Sequence, residues 1–336
     1  MKKVFQINSN SKIYVICPAN NKTGGTELLH QLVFQLNKIG RTAYIAYYME
    51  GKCDKNNPTP AEFKKYVRNV CTVSQIEDSK ENLIVFPEVC IGKQRKFKNV
   101  QKCVWWLSVD NYNAMLGRVN RLKKYGLLSF LKHLWLNDYS SQKDIEKIDV
   151  HLYQSYFAAD FLSKKGIKEE NMCYLSDYIN DIYMNGFSTK DRENIVIYNP
   201  KKGFEFTQKL IKEGTDIKWV PIQNMTNKQV LELMSRAKVY IDFGNHPGKD
   251  RIPRETAMAG CCVITNRTGS AGYKQDVPIK DCYKFEDTDD NITDIIVKIR
   301  ELLECYEVHI NEFSSYRDFI SNEKEKFEND VKNIFQ

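Results

Sequence analysis

Long apolar runs are missing from this chain of 336 residues. None reaches the roughly 18 apolar residues that cross a bilayer. The opening Met1-Lys-Lys-Val-Phe-Gln-Ile-Asn-Ser-Asn10 has a charged front but no apolar core of signal-peptide length. A cytoplasmic protein is expected. The 10 cysteines never fall as Cys-x-x-Cys, and several sit inside apolar runs, as Cys17 does. That suits buried reduced thiols better than disulfides or a zinc site. The 5 histidines are scattered and form no His-Glu-x-x-His, so no protein-built metal site is expected. Neither Gly-x-Gly-x-x-Gly nor a Walker loop occurs, which disfavours a dinucleotide dehydrogenase and a P-loop ATPase. Strong charge bias is lacking too: 50 basic against 43 acidic residues leave +7, spread along the chain. Nucleic acid is not the expected partner, because its binders cluster basic residues with aromatics. Nucleotide diphosphates and acidic lipid head groups stay open.

What is present is alternation. Residues 12–18 read as a buried strand, a Gly-containing turn follows, and Leu28, Leu29, Leu32, Val33 and Leu36 share one helical face that Gly40 stops. A strand at 42–48 completes a βαβ unit, and hence a parallel sheet. Further strands are predicted at 82–87, 101–107 and 149–154. The polar stretch 185–194 reads as a linker. Beyond it strands at 195–198, 217–222, 238–243 and 261–265 alternate with helices at 204–213, 226–236 and 254–260. From Asn291 the chain is charged and helical in period. The reading is two α/β domains and a helical tail.

Three turns carry candidate chemistry. Thr23-Gly-Gly-Thr-Glu27 sits between strand and helix, either as an ordinary tight turn or as a place where backbone amides meet a ligand. Asn199-Pro-Lys-Lys-Gly203 follows the first strand of the second half. Its lysines are either solvated or hold a pyrophosphate. The third runs from Ile241 to Thr265: a polar loop, Pro253 as the expected first helical residue, Arg254 and Glu255 in the opening turn, then small residues. A carboxylate there can accept two hydrogen bonds from a diol such as a ribose. Asp110, after the strand ending in Trp105-Trp-Leu, either orients an acceptor hydroxyl, acts as a base or is a structural loop aspartate.

The pattern Gly248-x4-Pro253-x-Glu255-x-Ala257-x-Ala259-x3-Val263-Ile264 resembles the donor-site signature of retaining GT-B glycosyltransferases, family 4-like and of the bacterial surface polysaccharide type. The resemblance implies two Rossmann-like domains facing a central cleft. Residues 1–185 would form the acceptor side and 186–315 the nucleotide-sugar side, with 316–336 a C-terminal helix returning to the first domain. It implies sugar transfer from a nucleotide-diphosphate donor to a glycan or lipid-linked acceptor, with retention and without a metal or other cofactor. By the same resemblance Glu255 would bind the ribose hydroxyls, Lys201 or Lys202 the diphosphate, and Gly24 and Gly25 would line the cleft opposite. Gly269 and Ser270 would add backbone donors. Arg254 is either a further phosphate ligand or an ordinary exposed helix-start arginine. One departure stands out: the family's first glutamate, eight residues before the second, is Pro247 here. His246, Lys249 or Asp250 is the expected substitute; His246 and Asp250, together with Asp110 after its own strand, are the catalytic candidates.

Residues 116–136 carry leucine stripes beside Arg118, Arg121, Lys123, Lys124 and Lys132. They form either an anionic-membrane surface, making the protein peripheral on the inner face of the cytoplasmic membrane, or a stripe packed into the first domain. A sugar-nucleotide epimerase on the same fold and a non-catalytic nucleotide-sugar or glycan binder are the rival functions.

Overall fold

Ile13, Val15, Ile16 and Cys17 have no exposed surface, so strand β1 (Lys12–Pro18) is buried on both faces. Such unbroken apolar strands belong to parallel sheets covered by helices. The computed structural model describes residues 4–49, 54, 56–116, 122, 126–128, 131 and 140–336. They divide into one unit of Met1–Asp177 with Glu325–Gln336 and a second of Tyr178–Lys324.

In the first unit β1 lies between β2 (Thr42–Tyr48) and β4 (Leu83–Pro87). Outward from these run β3 (Val70–Thr72) on one side and β5 (Gln101–Trp106), β6 (Val150–Tyr153) and β7 (Met172–Tyr174) on the other. All six pairings are parallel, in the order β3-β2-β1-β4-β5-β6-β7. Helix α1 (Gly24–Lys38) starts at a capping box, Thr23 accepting from the Thr26 amide and Thr26 from the Thr23 amide. It buries Leu28, Leu29, Leu32, Val33 and Leu36 against the sheet. Helix α2 (Val109–Met115) follows β5 with Ser108 as its N-cap.

The second unit has five parallel strands in the order β12-β11-β10-β8-β9: β8 (Glu193–Tyr198), β9 (Lys218–Pro221), β10 (Ala237–Asp242), β11 (Cys262–Asn266) and β12 (Lys284–Phe285). Helices α3 (Phe204–Glu213), α4 (Asn227–Arg236), α5 (Arg251–Met258) and α6 (Ile292–Glu304) alternate with or follow them. After α6 the described chain is helical to its end, including α7 (Ser314–Ser321) and α8 (Glu323–Phe335).

Two expectations shift. The division between units falls at 177/178, before the polar stretch, because Ile179 and Tyr183 pack into the core of the second unit. Helix α5 begins at Arg251, so Pro253 is its third residue and Glu255 its fifth. Proline is tolerated throughout the first turn, whose amides have no intrahelical acceptor, so its presence cannot fix the starting residue. Strands β3, β7 and β12, of three, three and two residues, were not foreseen. Each is too short to carry an apolar run.

At the start of α8, the Glu323 carboxylate is buried between two cations. Lys249 Nζ lies 2.6 Å from Oε1 and Arg254 Nη1 2.6 Å from Oε2, with all three side chains at most 3% exposed. Arg254 also donates to the Lys249 carbonyl at 2.8 Å and the Asp250 carbonyl at 3.2 Å. Removing one partner of such a group leaves uncompensated buried charge, at a cost of about 3–5 kcal/mol. Glu323→Ala is therefore expected to lower the stability of the second unit by that amount in urea unfolding. A loss below about 1 kcal/mol, the value of an exposed pair, would show that the cations find water instead.

Candidate functional site

Ligands of open parallel sheets bind beyond the carboxyl ends of the strands, where the strand order reverses. In the second unit β9 lies on one side of β8 and β10 on the other, so the reversal falls between β8 and β10. The loops leaving these two strands border a cavity of about 510 Å³ whose lining includes Lys201, Lys202, Lys209, Asn245 and Pro247.

Glycine makes the close approach of the two loops possible. Gly203 has φ +56°, and a Cβ there would stand 2.1 Å from the Phe243 carbonyl oxygen. A Cβ on Gly244 would stand 2.4 Å from Cβ of Lys202. Lys201 is exposed at the rim, its amide tied to Asn199 Oδ1 at 3.0 Å. Lys202 turns the other way, and its ammonium meets Asp250 Oδ2 at 2.7 Å.

Behind Lys202 lies a buried polar cluster. Asp242, the last residue of β10, accepts from the Tyr240 hydroxyl at 2.7 Å and the Gly244 amide at 3.2 Å. The imidazole of His246 stands between two carboxylates, Nδ1 2.9 Å from Asp250 and Nε2 3.7 Å from Asp242. Burial pulls the His246 pKa down, but the charges of Asp242 and Asp250 and the Asp250 hydrogen bond outweigh it and hold the group above its ordinary 6.5. Burial likewise works against the Asp250 carboxylate, yet the His246 hydrogen bond and the Lys202 charge keep it below its ordinary 3.8. The Tyr240 phenol is pushed well up, by burial first and then by Asp242, Asp250 and Glu255. Glu255 therefore belongs to the same electrostatic neighbourhood, half-buried in the second turn of α5.

Asp242, His246 and Asp250 each offer a ligand atom within 4.8 Å of the others, a spacing that could hold a cation. A divalent ion there would have to displace Lys202 from Asp250 and deprotonate an imidazole that the carboxylates favour charged.

Two sequence-derived ligands are corrected. Arg254 is 1% exposed, and its guanidinium is committed to Glu323 and the carbonyls of Lys249 and Asp250, not to a phosphate. Ser270 is fully buried. Its amide donates to the His246 carbonyl at 2.8 Å and its hydroxyl to the Gly248 carbonyl at 2.6 Å, so neither donor reaches into the cavity. Gly269 has φ +58°, and a Cβ there would lie 2.1 Å from the His246 carbonyl oxygen, so its role is to admit that loop.

In the first unit the strand order reverses between β1 and β4. Gly24 and Gly25 are the first two residues of α1, beyond β1. Asp110 lies in the first turn of α2, beyond β5. Sequence reasoning missed Glu88, directly after β4, which is 2% exposed. Burial, only partly countered by the amides of Leu107, Glu88 and Ser108, pushes its pKa up to about 7. The signal was available as a lone carboxylate closing the apolar run 83–87. Asp242 was missed in the same way.

No family model and no curated protein matches the sequence. Solved structures do match in shape. Sucrose-phosphate synthase from Thermosynechococcus elongatus superposes with TM-score 0.67 at 13% identity, over 97% of this chain and 98% of that one. Anabaena HepE in complex with UDP-glucose gives 0.62 at 11% identity, over 96% and 98%. TarM gives 0.62 at 12% identity, over 96% and 99%. A mutant of S. aureus TarM bound to fondaparinux, alpha-GlcNAc-glycerol and UDP gives 0.53 at 15% identity, and this chain spans only 56% of its length. The fold is GT-B.

The buried cluster makes a signed pH prediction. A histidine whose folded pKa is raised contributes stability that is present below its unfolded value of 6.5 and lost as pH rises through the folded value. Asp250, with its pKa lowered, contributes stability that is present above 3.8 and lost as pH falls through its folded value. The stability difference between wild type and His246→Gln should therefore be largest near pH 5–6 and shrink as pH rises past 6.5 in urea titrations. A difference that does not change with pH would remove His246 as the titrating group.

Proposed function

We propose that the chain is a glycosyltransferase that binds the diphosphate of a nucleotide sugar at the β8/β10 crevice and transfers the sugar to a hydroxyl of a glycan or lipid-linked glycan. One observation carries this reading: Lys201 and Lys202 leave the first strand of the second unit beside a roomy cavity at the strand-order reversal. Lys201 stands free to meet phosphate oxygens as the donor binds. Lys202 would share its charge between Asp250 and the leaving diphosphate, stabilising negative charge as the glycosidic bond breaks. Glu255 would accept hydrogen bonds from the ribose hydroxyls.

Retention of configuration and independence from metal are part of the proposal. The second is supported by lysines placed to neutralise a diphosphate directly. His246, buried between two carboxylates, would hold the shape and charge of the loop that replaces the family's first glutamate, with Pro247 lining the cavity instead. UDP is the nucleotide to try first, because HepE and TarM have both been solved with it.

Surface polysaccharide synthesis is the proposed setting, with the chain on the inner face of the cytoplasmic membrane. No helix among the described residues is long and apolar enough to cross a membrane. Of the leucine-rich stretch 116–136, residues 117–121, 123–125, 129–130 and 132–136 lie outside the described residues. Leu116 packs on the first unit's core, whereas Leu127, Leu128 and Leu131 are 61%, 87% and 52% exposed. That exposure supports the membrane-facing reading of those three over packing into the domain.

A melting panel tests the donor site. A ligand that binds only the folded protein at a hundredfold excess over Kd adds about 2.7 kcal/mol, a shift of several degrees. UDP or a UDP-sugar should raise Tm, a chelator should not change the shift, and Lys202→Ala and Glu255→Ala should each reduce it. No shift with UDP, ADP or GDP or their sugars at millimolar concentration would sink the transferase reading.

A further inference from the structure

We propose that Glu88 is a positioning residue whose carboxylate sets the turn 107–110, the turn that carries Ser108 and Asp110 beyond the carboxyl end of β5. Only the link to acceptor binding rests on the proposed function. The clamp itself stands on the geometry of the first unit.

Two buried side chains hold this turn by opposite backbone groups. Glu88 Oε2 accepts from the Leu107 amide at 3.1 Å, and the Ser108 amide lies close enough to favour the charged carboxyl. From the loop beyond β6, Gln154 Nε2 donates to the Leu107 carbonyl at 2.7 Å. Glu88 and Gln154 are 2% and 3% exposed, so water competes little for either contact. The held peptide leads directly into α2, where the Ser108 hydroxyl caps the helix by accepting from the Asn111 amide at 3.1 Å. Across the reversal point a Cβ on Gly25 would meet Leu107 Cδ1 at an ordinary 3.6 Å, so the turn borders the start of α1. Glu88 therefore sits at the reversal point of the first unit, where a parallel sheet places its ligands.

Among the described residues, Glu88 is perturbed by burial and by three backbone amides (Leu107, Glu88 and Ser108), with no charged neighbour contributing. Its ionisation is therefore read out by the amides. The amides favour the charged form, but burial disfavours it more strongly, so ionisation works against the closed turn. Because burial raises its folded pKa to about 7, the closed turn loses stability as pH rises through neutrality. An aspartate or glutamate paired to a cation would complete its ionisation far below physiological pH.

The test is amide hydrogen exchange at Leu107 and Ser108 in the full chain, corrected for intrinsic rates, between pH 6 and 8. In wild type the protection of these two amides should fall about tenfold from pH 6 to 8, because opening hydrates a carboxyl whose ordinary pKa is 4.5. Amides in β10 of the other unit should stay level. Glu88→Gln keeps the shape and an acceptor oxygen but cannot ionise. It should be flat with pH, and Glu88→Ala should lose protection at every pH. A purely structural carboxylate would lower protection on mutation without a pH midpoint. Wild-type protection that ignores pH or rises with it, or the same fall in Glu88→Gln, overturns the proposal. The UDP-induced melting shift, measured on the same variants, separates the two ideas. Its absence with the exchange pattern intact sinks the donor site and leaves the clamp standing.

Discussion

The loop that leaves β10, residues 243–250, is held from three directions, and the crevice in front of it depends on that confinement. From β8 comes the Gly203 turn, packed so close to the Phe243 carbonyl that no side chain fits between. From β11 come Asn266, which donates to the Gly244 carbonyl at 3.0 Å, and Ser270, which ties the His246 and Gly248 carbonyls. From α8 comes Glu323, against Lys249 and, through Arg254, the carbonyls of Lys249 and Asp250. A polar loop that is buried must have its carbonyls satisfied, or it costs more than it can return. Here the carbonyls of Gly244, His246, Gly248, Lys249 and Asp250 each have a donor from outside the loop. That explains how a segment containing His246, Lys249 and Asp250 can be buried without a compensating apolar core of its own.

Confinement also dictates the electrostatics. A lysine or histidine in a dry pocket would lose its proton, and a carboxylate would gain one, unless opposite charges stand close. The β10 loop and its flanks supply both signs: Asp242, His246, Lys249, Asp250, Arg254. These are distributed between two separate ion-paired groups. The forward group, with Lys202, faces the cavity, and the rear group, with Glu323, faces the helical tail. Two like-signed carboxylates in the forward group are tolerable only because His246 lies between them.

How much of this was legible beforehand follows the range of each interaction. Strands such as β1, β2 and β8 and the helix carrying Leu28 to Leu36 are written in local periodicity, and they emerged within a residue or two. The lysines at 201 and 202 were readable because a turn after a first strand has a known place in the sheet. Arg254 and Ser270 were misjudged because their partners, Glu323 and the carbonyls of residues 246 and 248, are brought to them only by tertiary packing. A buried arginine has the same letter as an exposed one. Glu88 and Asp242 were overlooked for a related reason. Each closes an apolar strand, and attention to the run obscured the single charge at its end, which a parallel sheet delivers to the place where ligands sit.

The two reversal points end in carboxylates of opposite character, although the strand geometry around them is the same. Asp250 lies within reach of an ammonium and an imidazole, and its pKa falls. Glu88 meets only amide dipoles, and its pKa rises to about 7. Dipoles favour the anion as charges do, but three peptide N–H groups do not make up for the loss of water around a fully buried carboxylate. The second unit therefore keeps charge in place near its cavity. At the first unit's reversal point the carboxyl lies between neutral and charged near pH 7. One architecture thus offers two electrically different floors, and the difference comes from whether a lysine and a histidine stand beside the carboxylate at the strand's end.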